Sequence, residues 1–291
     1  MGPSVMIVGP GRMGLALASA LEQAGAVGRL TICGRTPEAP AHPLFTQGRA
    51  RYVFGLVPLE VDTAALIIAV PDAAVPEIAL NMAAHGPALE GCAALHLSGI
   101  LGTEVLQPLH AQGYAVGSLH PMQRVSHPVS GADQIPGSYV AVTGSSDVWA
   151  IARSLMSPLG CRVIKVPEGR KPLVHAATVM ASHYLPILLD HSVRFMERSG
   201  VSSEDALPAL LSLIQSSLRG IEEQGLASAM RGPLTDGDVE TIALHLRALD
   251  AEDQRLYALL AEELHRLAGP ELDERTQVEL AALFDRYLGS T

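Results

Sequence analysis

From the start of the chain to Val166, short apolar runs alternate with stretches of helical spacing. The runs are Val5–Val8, Leu30–Cys33, Ala65–Val70, Ala93–Leu97, Ala115–Leu119, Tyr139–Thr143 and Arg162–Val166. Between them lie Leu15–Gln23, Val75–Ala84 and Val148–Met156, whose apolar positions recur with the period of a helix. Strands separated by helices predict a parallel, doubly wound sheet. Beyond Val166 the strand-like runs give way to long amphipathic segments, about Lys171–Glu197, Ser202–Gly225, Gly237–Leu249, Glu252–Leu267 and Thr276–Leu288. Ser202 followed by Asp205 reads as a helix start. Pro186 denies the carbonyl of Ser182 its helical partner, so a kink is expected there. The expected fold class is α/β: an N-terminal Rossmann-type doubly wound sheet in 1–166, then an all-α C-terminal domain in 167–291, joined at Pro167-Glu168-Gly169.

The first strand runs into Gly9-Pro10-Gly11-Arg12-Met13-Gly14 at the start of the first helix. This is G-x-G-x-x-G in the strand–turn–helix setting where it binds dinucleotides. Gly9 permits the tight turn, Gly11 lets pyrophosphate approach the backbone, and Gly14 lets the helix pack close to the sheet. The free N–H groups and positive dipole end of that helix favour phosphate. Arg12 can add a phosphate contact or face water. The second strand ends in Cys33-Gly34-Arg35-Thr36, with Gly34 twenty residues beyond Gly14. An acid here would hold both ribose hydroxyls of NAD. Arg35 and Thr36 instead suit a 2′-phosphate, which points to NADP(H); the alternative for Arg35 is a solvated surface side chain. The strand-like run from Ala65 ends at Val70-Pro71, placed to lie beside the nicotinamide ribose, and Asp72 can simply cap the helix from Val75.

Composition narrows the class. The 291 residues are 48% hydrophobic and 17% charged, which suits a two-domain globular chain and not a disordered one. The formal charge is −10, and the basic residues, 20 in all with only Lys165 and Lys171 as lysines, are scattered singly. A nucleic-acid partner would need a basic stripe, so none is expected. No basic leader precedes Val5, and no window of uncharged apolar residues of spanning length was expected, so neither a secretory signal nor a membrane partner is read. Cys33, Cys92 and Cys161 are too few and too scattered for a disulfide framework, which suits a cytoplasmic protein. The histidines lack metal-ligand spacing and no metal is expected; no G-x-S-x-G elbow supports a hydrolase.

Candidate chemistry lies where later strands end, because ligands of open α/β sheets bind at the carboxyl ends of strands. His96-Leu97-Ser98-Gly99 and Ser118-Leu119-His120-Pro121-Met122-Gln123 place Ser98 and His120 there. His120 is held by the following proline at a rigid strand exit. Ser98 can orient a substrate carbonyl or serve only a turn. On the long helix from Arg170, Lys171, His175 and Ser182 fall on one face at about 100° per residue. Polar groups on a buried face need partners or a ligand; the alternative is a capping lysine and a core histidine. In Met230–Asp238, Thr235 or Asp236 can cap the next helix and Arg231 can reach a carboxylate.

Taken in order, the glycine motif, His96-x-Ser98-Gly99, His120-Pro121-Met122-Gln123, Lys171-Pro172-Leu173-Val174-His175 and Gly232-Pro233-Leu234-x-x-Gly237-Asp238 resemble the bacterial proteins with Rossmann-like and DUF2520 domains. These are often labelled NADP oxidoreductases. The resemblance implies kinship with the pyrroline-5-carboxylate reductase, ketopantoate reductase and prephenate dehydrogenase group, which pair a Rossmann domain with a helical domain that often dimerises. It implies an NADPH-dependent enzyme passing hydride between nicotinamide and a small keto or imino acid, ketopantoate among them, held between the domains. Lys171 or His120 would supply the proton, with Ser98, His175 and Ser182 assisting, and a homodimer would form through the helical domain. Two alternatives stand beside it: a non-catalytic NADP(H) redox sensor, and a prephenate-dehydrogenase-like enzyme in which His120 meets a substrate hydroxyl. This chain departs from the family pattern at Ala181-Ser182-His183, where Ala-Ser-Asn is expected, and at Asp236-Gly237-Asp238, where Arg-Gly-Asp is usual.

Overall fold

A computed structural model of the chain describes residues 2–227, 230–268 and 272–289. Its elements are β1 (Ser4–Val8), α1 (Arg12–Gln23), β2 (Arg29–Gly34), α2 (Pro43–Thr46), β3 (Arg51–Phe54), β4 (Thr63–Ile68), α3 (Val75–Ala83), β5 (Ala93–His96), α4 (Gln107–Ala111), β6 (Ala115–Pro121), β7 (Tyr139–Gly144), α5 (Ser146–Met156), β8 (Arg162–Lys165) and α6 (Lys171–Val179), followed by α7 (Leu185–Arg198), α8 (Ser203–Gln224), α9 (Val239–Ala248), α10 (Ala251–Ala268) and α11 (Glu274–Leu288). Contacts divide the chain into two compact units, Met1–Met180 and Ala181–Thr291.

The first unit is an eight-stranded sheet in the order β3-β2-β1-β4-β5-β6-β7-β8. The order reverses between β1 and β4, as in a doubly wound sheet, where the strand ends open a crevice for a ligand. Strand alternation separates two apolar layers. Val5, Ile7, Ile32, Ile67 and Leu95 face one core together with Leu17 and Leu21 of α1. Met6, Val8, Leu66, Ile68 and Ala94 face the other, covered by Val75, Ala79 and Met82 of α3. The central strands are buried on both sides, which is why they read as continuous apolar runs.

Four features differ from the sequence expectation. First, β3 was not foreseen: Arg51–Phe54 has only half-buried or exposed positions and sits at the sheet edge, so it lacks the apolar signature of its neighbours. Second, β6 and β7 pair antiparallel. The loop 122–138 between them holds only a short helical turn over Ser130–Gln134, and a parallel crossover usually takes a packed helix. Third, β6 does not end at His120 but runs on through Pro121, with Met122 N donating to Tyr139 O at 2.8 Å. The side of Pro121 that lacks an N–H faces past the end of β5, whose ladder with β6 stops at the His96–Ser118 pair, so no bond is lost. Fourth, the first unit extends through α6 to Met180, beyond the join expected at 166/167, because Lys171 is buried against the sheet unit.

In the second unit, Leu234, Ile242, Leu246, Ala258, Leu280, Leu283 and Phe284 form a core for α9, α10 and α11. Asp253 of α10 is buried and takes bonds from His191 Nδ1 of α7 at 2.7 Å and Arg198 Nη1 at 3.0 Å. A π-helical turn over Met180–Tyr184 links α6 to α7. It falls where Pro186 leaves the Ser182 carbonyl without its usual partner. The run Lys171–Arg198 also contains an 18-residue window with mean hydropathy 1.3, long and apolar enough to cross a membrane by length and composition. That corrects the expectation that no such window exists: His175, Ser182 and His183 interrupt the apolar residues, but no Asp, Glu, Lys or Arg stands between Lys171 and Asp190.

Candidate active site

Gly9 closes β1 with φ +110°, a conformation reserved largely for glycine, and its N–H donates to Cys33 O of β2 at 2.9 Å. A methyl group there would lie 2.5 Å from Ala69 O, and one on Gly14 would lie 2.2 Å from Gly9 O. Both glycines are therefore demanded by the packing of the chain itself. Gly11 is different. A methyl group there meets nothing within 4 Å, so the protein's own packing does not demand a glycine at this position. Gly11 is also the N-cap of α1 and brings no side-chain cap, so the first-turn N–H groups lack internal partners.

Above this turn lies a cavity of about 450 Å³. Gly9, Pro10 and Gly11 line one wall; Gly34, Arg35 and Thr36 line the end of β2; Val70 and Pro71 close the side below β4. Eight of the residues read from sequence as cofactor contacts thus meet at one cavity. Three do not line it. Gly14 packs beneath Gly9, Met13 joins the core of the first unit, and Arg12 is exposed at the helix start. Leu56, Ala74 and Ile78 add apolar walls that sequence reasoning missed, since they come from a loop and a helix with no motif. A cavity lined by a glycine turn and an arginine, beside a helix start with unmet N–H groups, fits a dinucleotide phosphate ester.

A second cluster sits at the ends of β5 and β6. Ser98 Oγ donates to Asp72 Oδ2 at 2.9 Å and accepts from Ile100 N at 3.2 Å and Leu101 N at 3.1 Å. The hydroxyl is thus fully engaged in shaping the turn, not free to orient a substrate. Its carbonyl does the further work: Lys171 Nζ donates to Ser98 O at 2.7 Å. Lys171 is buried, and this bond uses one of its three N–H groups. Burial pulls its pKa down to about 8, while Asp72, Glu168 and Glu104 oppose the fall. Glu168 is itself tied to the loop after β5 through Thr103 N and Thr103 Oγ1.

His120 and His175 lie with ring centroids 6.3 Å apart. Gly99 passes between them: a methyl group there would fall 2.7 Å from His175 Cδ2 and 2.9 Å from His120 Cε1. Burial first, then the charge of Lys171 and the neighbouring His175 ring, push His120 down to about 4. His96 is fully buried, is also lowered to about 4 chiefly by burial, and its Nε2 lies 3.0 Å from Gly102 O. His120, Lys171, Ser118 and Thr143 line a water-sized pocket on this face of the sheet.

The expected stripe Lys171–His175–Ser182 is divided between the two units. Lys171 and His175 belong to the cluster of the first unit. Ser182 lies beyond α6, in the π turn of the second unit, 3.0 Å from His183 Nδ1. The extra residue per turn in a π-helix breaks the 100° count. In the Gly232-to-Asp238 block, Asp238 caps α9 through Thr241 N at 3.0 Å, in place of Thr235 or Asp236. Thr235 instead closes a local turn with Gly232 N. Among the described residues no group of His, Cys, Asp and Glu is arranged to hold a metal ion.

Comparison with known proteins follows this geometry. A Rossmann-like domain model matches residues 2–121, and a domain model described as DUF2520, of unknown function, matches residues 138–264. No curated protein matches the sequence. Three of the solved structures that share the fold illustrate it. The Thermotoga maritima protein TM1727 has a TM-score of 0.70 at 18% identity, covering 92% of this chain and 99% of its own. A pyrroline-5-carboxylate reductase from Coxiella burnetii has a TM-score of 0.61 at 13% identity, covering all of both chains. A reductive aminase from Aspergillus terreus, in complex with NADPH and ethyl-5-oxohexanoate, has a TM-score of 0.59 at 20% identity, covering 98% of this chain and 93% of its own.

Proposed function

For a chain that joins a Rossmann-like domain to a DUF2520 domain, we propose the function of an NADPH-dependent oxidoreductase that reduces a C=O or C=N bond of a small molecule. The observation that carries this reading is the open side of Gly11 within a cavity that ends in Arg35 and Thr36. Likeness in fold to a reductive aminase held with NADPH and to a pyrroline-5-carboxylate reductase supports it.

NADPH, when bound, supplies the hydride; the chain supplies position and a proton. The first-turn N–H groups of α1, reached past the open side of Gly11, would hold pyrophosphate, and Arg35 with Thr36 would hold the 2′-phosphate. Val70 and Pro71 form the wall nearest the second cluster, because Asp72 follows them directly and binds Ser98. Ser98 O fixes the Lys171 ammonium and leaves two of its N–H groups for the substrate. Lys171 then protonates the oxygen or nitrogen of the bond being reduced. His120, neutral across the physiological range, accepts or donates a hydrogen bond beside it. A small 2-oxo acid such as ketopantoate, or a cyclic imine, suits this chemistry.

A second copy of the chain covers the apolar side chains that α7 and α8 expose, Ile187, Leu188, Leu211 and Leu213 among them, which supports a homodimer. The three buried, unpaired thiols suit a reducing cytoplasm. The test of the catalytic reading is NADPH oxidation across a panel of 2-oxo acids, including ketopantoate, and imines, including pyrroline-5-carboxylate. Substrate-dependent consumption is expected with at least one. Tight NADPH binding with no consumption across the panel would instead favour a redox sensor.

A further inference from the structure

Tyr52 stands on β3, the edge strand beside β2. Its phenol crosses the end of β2 so closely that a methyl group on Gly34 would lie 2.3 Å from Tyr52 Oη and 2.8 Å from its Cε2. Tyr52 Oη donates to Thr36 O at 2.6 Å and lies 3.2 Å from Thr36 Oγ1. A phenol has one proton, and the shorter contact takes it. Thr36 Oγ1 in turn donates to Glu38 O at 3.0 Å. Phe45 of α2 meets the tyrosine ring edge-on, with centroids 5.4 Å apart, and holds it in place. The turn after β2 is thus pinned from below by one side chain.

That turn carries Arg35, which is exposed and has no ion pair among the described residues. Neighbouring arginines are spoken for: Arg29 binds Glu60 and Asp62, Arg49 binds Glu22, and Arg51 binds Glu60. In a chain with a formal charge of −10, a guanidinium left without a carboxylate at a cavity rim is free for an anion from outside. A long side chain on a loose turn would lose freedom on binding; a pinned turn has less to lose.

We infer that Tyr52 is a positioning residue for coenzyme choice, fixing the 34–36 turn so that Arg35 and Thr36 meet the 2′-phosphate that separates NADP(H) from NAD(H). The inference rests on the reading of the cavity as an NADP(H) site. It also explains Gly34: the glycine leaves room for the phenol.

The test is calorimetric titration of the full chain with NADPH and, separately, NADH, for the wild type and for Tyr52→Phe, which keeps the ring and its packing. NADPH affinity is expected to fall roughly tenfold, in line with the loss of the hydrogen bond that holds the turn, with NADH affinity and the thermal midpoint unchanged. Gly34→Ala, which drives a methyl group into the phenol while Tyr52 remains, should reproduce the selective loss. Equal loss for both coenzymes, or no loss for either, overturns the role of Tyr52. A wild type that binds neither, or prefers NADH, overturns the cavity reading itself, and the wild-type arm shows that separately.

Discussion

Lys171 and His120 line the same small pocket, and burial disfavours the cation of both. The two still end in opposite states at neutral pH. With a pKa of about 8 Lys171 remains mostly an ammonium, whereas His120 at about 4 is neutral. In the proposed reaction the group charged to donate a proton near pH 7 is therefore Lys171. The rate kcat/KM should be level below about pH 8 and fall tenfold per unit above it, measured by NADPH oxidation in a pH series. Lys171→Met should lower kcat by roughly 10²–10⁴-fold; a smaller effect than that of His120→Asn would contradict the assignment. The same shifts govern stability. His96 and His120 titrate near 6.5 when unfolded and near 4 when folded. Between those values the unfolded chain binds more protons, so stability rises with pH across the window and is lost on acidification through it. Thermal midpoints from pH 6.5 down to 4 should fall steeply, and His120→Asn should flatten the slope. A wild-type midpoint that is constant over this range would refute the buried-imidazole account.

At the scale of elements, the strand–turn–helix at the start of the chain was readable because everything it needs is local. Gly9 and Gly14 are fixed by contacts within that unit and with Ala69. Gly14→Ala should destabilise by roughly 1–3 kcal/mol, since its methyl group meets backbone that cannot move aside. Gly11→Ala, with open space before it, should leave the thermal midpoint in place; chemical denaturation of the two variants checks the contrast. What escaped the sequence was non-local. Edge strand β3 and its Tyr52 have no periodic signature, and the antiparallel turn of β7 depends on the length of the loop before it. The bond from Lys171 to Ser98 spans 73 residues, so pattern could nominate each residue but not join them. Ser98 was placed correctly at a strand end, yet its hydroxyl proved to be a turn element because two backbone N–H groups claim it. Helical counting groups Ser182 with Lys171, but Ser182 lies in a π turn, whose period differs from that of an α-helix.

On the scale of the whole molecule, the first unit is closed on both sheet faces, while α7 and α8 leave Ile187, Leu188, Leu211 and Leu213 at 37–63% exposure. Surfaces of this kind mark association. Sedimentation at micromolar concentration should give about twice 30.6 kDa, and Leu188→Glu with Leu211→Glu should return the monomer; a monomeric wild type would remove the proposed second copy. The simplest of these proposals is that the open side of Gly11 receives the coenzyme. It is tested most directly by titrating NADPH into the wild type and into Gly11→Val and measuring bound coenzyme per chain. The account predicts one equivalent bound by the wild type and none by a variant whose thermal midpoint is unchanged. Uptake by the valine variant equal to that of the wild type, or no uptake by the wild type, would contradict it.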